Sequence, residues 1–312
     1  MARRRKTDPR QRHGLLILDK PSGPTSANCL EQIKRELGQP RIGHAGTLDP
    51  MATGVLLVLL GQGTKLATYL TGCDKTYSGR IRLGVTTDTF DAQGRVTDES
   101  PIDHIRPMDV EKQIASWTEL TEQDVPPVSA AKHKGTPLYA LARAGKDVPV
   151  KTKTIKISHV EVLETDLPWV RFRVRVSAGT YIRSLAHSLG IRLGCGAMLD
   201  QLTRERCHPY GLDQAVSLNS LLGEPERLNE RVIPMGKALP HWPTLALNER
   251  QLGLVRNGAW LPVADGPLGP DGPAPEGCRA VFTDPAGQAA ALVEARHKDG
   301  RLAWAILRGL WQ

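Results

Sequence analysis

The sequence predicts an α+β fold, a mostly antiparallel mixed sheet flanked by helices, with a small β-rich unit at its C-terminal end. Three observations carry this. Val170, Phe172, Val174 and Val176 alternate with Arg171, Arg173 and Arg175, the period-two pattern of a strand with one covered face. Strand-like runs outnumber helical ones and are interleaved with them through residues 13–235. Near Pro240 the character changes: residues 241–312 carry seven Lys/Arg and seven Asp/Glu, and the apolar runs Ala280 to Phe282 and Ala303 to Leu307 flank a Pro/Gly-rich loop, Pro267 to Gly277.

In chain order, Gly14 to Leu18 reads as a short buried strand and Asp19 to Pro24 as a turn. Thr25-Ser26 starts a helix to about Leu37, with Leu30, Ile33 and Leu37 on its apolar stripe and Gly38 as its stop. Arg41 to Thr53 is a glycine-containing loop, Gly54 to Leu60 an apolar strand, and Thr64 to Leu70 a short helix. Lys75 to Gly84 alternates, with Tyr77, Ile81 and Leu83 on one face. A polar loop over Thr86 to Gly94 precedes a helix near Asp109 to Trp117; an irregular stretch around Pro126 and Pro127 precedes another from Leu138 to Gly145. Ile155 to Leu163 pairs with Trp169 to Val176. The three arginines on that second strand are either a solvated sheet face or a phosphate-tracking stripe. Tyr181 to Leu189 is a helix with Thr180 as its N-cap, a stripe of Ile182, Leu185, Ala186 and Leu189, and Arg183 and His187 off that stripe.

Composition bounds the function classes. Hydrophobic residues make up 40% and charged residues 24%, as in a soluble globular protein. The longest apolar run, Val55 to Leu60, is too short to span a bilayer, and no signal-like segment precedes the first apolar run, so a cytoplasmic protein is expected. The cysteines are five and form no CxxC pair, which argues against a disulfide framework or a zinc knuckle; the nine histidines have no HxH or HxxxH spacing, so no metal is expected. Of the net charge of +8, residues 1–13 contribute +5 and the rest of the chain +3. Residues 1–12 therefore read as a basic tail, either phosphate-attracting or merely solubilising.

The segment from Gly43 to Gly54 holds the candidate chemistry. Two glycines, His44 and the pair Asp49-Pro50 stand just before an apolar strand. Glycines allow sharp turns and close approach of a ligand. A carboxylate at the mouth of such a strand is partly desolvated, which sharpens it as a nucleophile or base. The plainer alternative is an Asp that turns the chain before Pro50.

Here the residues carry a resemblance. Gly14 to Ser26, Gly43 to Gly54, Lys75-Thr76-Tyr77, Thr87 to Asp91, Gly179 to Leu185 and Leu193 to Ala197 match, in order, the motifs of the TruB family of bacterial tRNA pseudouridine-55 synthases. The match spans most of residues 13–235 and is sharpest at Gly43 to Gly54. The resemblance implies a pseudouridine synthase domain over 13–235 and a PUA-like RNA-binding domain over 241–312. It implies an isomerase that flips one uridine of the tRNA T-loop out of its stack and rejoins its ring through carbon, with no cofactor. Asp49 would be the nucleophile, attacking C6 of uracil or C1′ of ribose. Arg183 would pair with Asp49 and keep it charged. Tyr77 would stack on the flipped base and help remove a proton late in the reaction. Tyr181 would pack in the same pocket, Leu202 would wall it, His44 would fill the gap left by the extruded base, and Asp91 and Lys20 would contact RNA.

Three departures from the family pattern stand out: the Pro267 to Gly277 insertion, Thr203-Arg204 where two arginines are common, with one phosphate contact in doubt, and Ser177-Ala178 before Gly179. The partner implied is the tRNA T-arm, bound by a monomer with no obligatory protein partner and no membrane. The rival readings are a T-arm folding chaperone that does not need catalysis and a guide-directed synthase. A glycosidase fits poorly, since no second carboxylate is marked as acid partner for Asp49.

Overall fold

The computed structural model describes residues 9–129, 131–133, 135–144, 151–263 and 274–311. The first eight residues of the basic tail, most of the Pro267 to Gly277 loop and the end of the helix expected to run to Gly145 lie outside the described residues.

A ten-stranded sheet organises the chain. Its main strands are β1 (Gly14–Lys20), β2 (Ile42–Ala45), β3 (Thr53–Leu60), β4 (Lys75–Leu83), β5 (Ile157–Asp166), β6 (Trp169–Val176) and β7 (Ala197–Cys207). Their spatial order is β5-β6-β4-β7-β3-β1, with Val216–Ser217 beyond β1 and β2 paired on β3. Neighbours run antiparallel except β3 against β7 and β1 against Val216–Ser217. The expected mixed, mostly antiparallel sheet is therefore present.

Strand β3 shows why its sequence does not alternate. Leu56, Val58 and Leu60 enter one hydrophobic core, whereas Val55, Leu57 and Leu59 enter a second on the opposite face. A strand covered on both sides reads as a continuous apolar run. The first core is closed by helices α1 (Ser26–Glu36), α3 (Pro107–Ala115) and α4 (Ile182–Leu193), while the short helix α2 (Ala67–Thr71) packs on the other side. Helix α1 begins with a capping box in which Thr25 accepts from the Asn28 N–H.

The second core reaches into a five-stranded sheet formed by β8 (Thr244–Ala246), β9 (Leu261–Pro262), β10 (Arg279–Thr283), β11 (Ala289–Lys298) and β12 (Arg301–Gly309), ordered β8-β10-β11-β12-β9. Val281, Leu292 and Leu310 join Leu57 and Leu59 in that core, so the C-terminal sheet sits on the back of the large one. This small curled β unit fits the PUA-like architecture.

The structure corrects two local expectations and decides between the two readings of the β6 arginines. Part of the loop expected over Thr86 to Gly94 is a hairpin strand, Val85–Thr87 against Val96–Glu99. Thr180 is not the cap of α4: that position is Tyr181, and the Thr180 hydroxyl donates to the Ser177 carbonyl instead. The arginines of β6 face carboxylates, Arg171 pairing Glu164, Arg173 pairing Glu161 and Glu205, and Arg175 pairing Asp74, which makes them a solvated, charge-compensated face.

Candidate active site

Parallel pairing of β3 with β7 is short, Thr53 to Thr203 and Gly54 to Arg204, and it sits where the loop between β2 and β3 returns to the sheet. Asp49 lies on that loop. Gly54 permits the junction: its φ is +100°, and a Cβ there would collide with the Arg204 backbone.

Two buried cations shape the loop. Lys20, at the end of β1, is 0% exposed, and its ammonium donates to the carbonyls of Pro21 (2.7 Å), Pro50 (3.1 Å) and Ala52 (2.8 Å). Burial lowers its pKa, and the charge of Asp49 is among the influences holding it up. Arg204 is 1% exposed and donates to Val55 (2.7 Å), Thr47 (3.3 Å) and Gly46 (3.0 Å). The Ser26 hydroxyl and the backbone of Leu48 bond each other reciprocally, and the Gly23 N–H donates to Pro50. The loop that carries Asp49 is thus braced from both sides through its own carbonyls.

The Asp49 carboxylate faces Arg183 of α4. Nε of Arg183 donates to Oδ2 at 2.9 Å and Nη2 to Oδ1 at 3.2 Å, a two-pronged contact with the geometry of the strongest ion pairs. The remaining donors of Arg183 reach the Thr89 carbonyl (2.9 Å) and the Val128 carbonyl (3.0 Å). Arg183 is only 6% exposed and Asp49 38% exposed, so the guanidinium is fixed and the carboxylate stays reachable. The sequence put Arg183 off the buried stripe of α4; the helix lies against the loop, and Arg183 is buried there by its charge partners.

The other residues divide. Tyr77 on β4 is buried opposite Arg204 on β7. Burial raises its phenol pKa, against the lowering effect of the charge and hydrogen bond of Arg204. Leu202 is buried on β7 opposite Gly79. Tyr181, half-buried at the start of α4, has its N–H and C=O gripped by the Gln123 side chain at 2.7 and 2.8 Å. His44 on β2 is half-buried; burial, then Arg204, lowers its pKa, so it is neutral near pH 7, and its Nδ1 has no partner among the described residues.

Asp91 and Lys20 do not fit the expected RNA contacts. The Asp91 carboxylate is turned inward, accepting from the Thr89 hydroxyl (2.7 Å) and the Gln93 N–H (3.0 Å), with Oδ2 3.6 Å from Arg183 Nε. Lys20 has no exposed surface to offer a phosphate. At Thr203-Arg204, where the sequence leaves one phosphate contact in doubt, Thr203 shares a hydroxyl bond with Thr53 at 2.8 Å, and Arg204 is the loop brace. Three supports were missed in the sequence: the brace Arg204, the clasp Gln123, and Phe90, which adopts a positive φ of 65° and stacks on His187 at 3.7 Å between two residues that hold Arg183. Only Arg204 carried a signal, because period two puts it on the same inward face as Leu202.

Comparison with known proteins supplies the class first. The fold is shared with solved H/ACA ribonucleoprotein structures. One is an H/ACA ribonucleoprotein bound to a substrate RNA containing 2′-deoxyuridine, with a TM-score of 0.69 and 25% identity over 97% of this chain and 86% of that one. Another is an archaeal box H/ACA Nop10–Cbf5 complex, with a TM-score of 0.67 and 25% identity over 98% and 93%. The profile of the TruB family pseudouridylate synthase N-terminal domain matches residues 34–182. Proteins called tRNA pseudouridine synthase B are similar over nearly their whole length: 55% identical in Nitratidesulfovibrio vulgaris strain Miyazaki F, covering 97% of this chain and 98% of that relative. In strain Hildenborough the identity is 58%, over 97% and 99%, and in Thermotoga maritima it is 37%, over 80% of both. This chain belongs to the TruB family of pseudouridylate synthases.

Proposed function

We propose that this protein isomerises uridine to pseudouridine in transfer RNA, at position 55 of the T-loop, and that Asp49 is the nucleophile. The observation that carries the reading is the Asp49–Arg183 pair: a reachable carboxylate held at 2.9 and 3.2 Å by a buried guanidinium, beside a buried tyrosine. The near-complete coverage of relatives called tRNA pseudouridine synthase B supports the choice of tRNA as substrate and of a protein that acts without a guide RNA.

The chemistry needs little else. The bond between N1 and C1′ breaks, the uracil turns, and a bond from C5 to C1′ forms. The proton leaves C5, N1 gains one, and Asp49 is released, so atoms and electrons balance within the substrate. Asp49 attacks C6 or C1′ to hold one fragment while the ring turns. Extruding the base costs a few kcal/mol, and stacking on Tyr77 returns about 1–3 kcal/mol. The neutral phenol favoured by burial suits that stacking. We assign His44 to the space the base vacates, Tyr181 and Leu202 to the pocket wall, residues 13–235 to the catalytic domain and 241–312 to a PUA-like domain that grips RNA by shape, its charge being balanced.

The test is Asp49→Asn on a bare, unmodified T-stem-loop without added metal or cofactor, mapping pseudouridine chemically. Product is expected to vanish while binding persists. Substantial turnover by the variant would remove Asp49 from its role, and inactivity of the wild-type chain on the bare stem-loop would remove the stand-alone reading.

A further inference from the structure

Away from Asp49, two cysteines distant in sequence meet. Cys73, just before β4, and Cys207, at the end of β7, bring their sulfurs to 3.0 Å across a separation of 134 residues. The antiparallel register that pairs Cys207 with Lys75 produces this contact. Both thiols are free. Cys207 is fully buried in the second hydrophobic core, whereas Cys73 is half-buried and borders a cavity of about 500 Å³ that also holds Asp74, Arg175, His208, His241 and Arg279. One sulfur is therefore reachable and the other is shielded behind it, the layout of an attacking and a resolving thiol.

We propose that Cys73 and Cys207 form a reversible dithiol–disulfide site, with low-molecular-weight disulfides of the glutathione type as its oxidants. The Cys73 thiolate attacks one sulfur of the oxidant and expels the other as a thiolate, leaving a mixed disulfide on Cys73. The Cys207 thiol then gives up its proton to the departing thiolate. Its sulfur displaces the second thiolate, and the internal disulfide forms. The protein loses two hydrogens and the oxidant becomes two thiols. Closing the bond requires the sulfurs to approach by about 1 Å.

The electrostatics favour this order. The hydrogen bond from Cys207 lowers the Cys73 pKa most, outweighing desolvation, and the charges of Lys75 and Arg204 act in the same direction. That same bond, together with burial, raises the Cys207 thiol. A thiol with its pKa near the ambient pH is the best attacking group, since thiolate fraction grows faster than nucleophilicity falls. The crosslink would staple β4 to β7, the strands that carry Tyr77 and Arg204, so the oxidised chain should resist unfolding better.

The experiment exposes the full-length protein to oxidised glutathione, blocks remaining thiols by alkylation, and maps the products by mass spectrometry. The expected product lacks two hydrogens, contains a Cys73–Cys207 linked peptide, reverts with dithiothreitol, and unfolds at higher urea concentration than the reduced chain. Cys207→Ser should trap Cys73 as the glutathione mixed disulfide, and Cys73→Ser should leave residue 207 unmodified. Cys278, a half-buried free thiol, serves as internal reference, with Cys73 expected to react ahead of it. Retention of five alkylatable thiols by the native wild-type chain, or modification of Cys278 ahead of Cys73, overturns the proposal. The wild-type map decides the question even where a serine variant folds poorly.

Discussion

Replacing Lys20 by methionine keeps the length of the side chain and removes its three donors. The Pro50 carbonyl retains the Gly23 N–H, but the carbonyls of Pro21 and Ala52 lose the ammonium that serves them. Leaving a buried acceptor unsatisfied costs about 1–3 kcal/mol each. Relief from burying a charge returns part of this. The net loss is about 3 kcal/mol, or roughly 5 °C in melting temperature for a chain of this size. The larger effect concerns catalysis, because Pro50 and Ala52 flank Asp49 and a shift of about 1 Å in a reacting group costs about 100-fold. Lys20→Met is therefore expected to lower kcat about 100-fold and leave the affinity for a T-stem-loop within about twofold. Titrating binding against salt separates this from a phosphate contact. Loss of one phosphate contact to single-stranded or duplex RNA would flatten the log–log slope by about 0.7–0.9. An unchanged slope is expected, and a flatter slope with intact stability would refute the bracing role.

The remaining predictions concern neighbouring groups. Arg183→Lys replaces a two-pronged contact and two carbonyl bonds with a point charge, so turnover should fall at least about 100-fold with RNA binding kept; single-turnover kinetics check this, and wild-type rates would take Arg183 out of the site. Gly54→Ala must accept a φ of +100° and a collision with the Arg204 backbone, so a loss of about 3 kcal/mol or more in urea unfolding is expected, well above the ordinary cost of glycine replacement. Burial, first among the causes, lowers the pKa of His13, His44, His187 and His208. The unfolded chain then takes up protons first, so their contribution is complete above about pH 6.5 and shrinks as pH falls toward the folded values. The urea midpoint should drop between about pH 7 and pH 5.5; a midpoint that rises over this interval would contradict the burial of these rings.

Much of the fold was legible because its strongest patterns are local. The helix start at Thr25-Ser26 and the alternation of β6 depend on a few neighbouring residues, and both appear as read. The apolar run of β3 announces burial on both faces but not what covers them, and part of its second cover comes from residues more than two hundred positions later in sequence. The supports of the site were hidden for a related reason. A lysine in a turn and an arginine in a strand look like surface charge, because cations are rarely buried without partners. Here Lys20 and Arg204 each donate to three backbone carbonyls, which no side-chain pattern reveals. Asp91 misled in the opposite sense: its carboxylate looked available to RNA, yet it closes its own loop by accepting from Thr89 and Gln93.

The placement of these cations links core folding to the geometry around Asp49. An ammonium or guanidinium taken out of water costs several kcal/mol unless its donors are satisfied. Lys20 and Arg204 obtain most of their acceptors when residues 46–55 adopt the observed loop, since Gly46, Thr47, Pro50, Ala52 and Val55 supply carbonyls. Another path for the loop leaves two buried charges short of acceptors. The same penalty that makes buried cations uncommon thus selects one conformation for the segment bearing Asp49, before any RNA arrives. Arg183 completes the arrangement from the opposite side, taking its own carbonyl partners at Thr89 and Val128 and leaving its fork aimed at Asp49. A carboxylate positioned this way needs little reorganisation when a base enters, which is the condition under which electrostatic preorganisation contributes most to a rate.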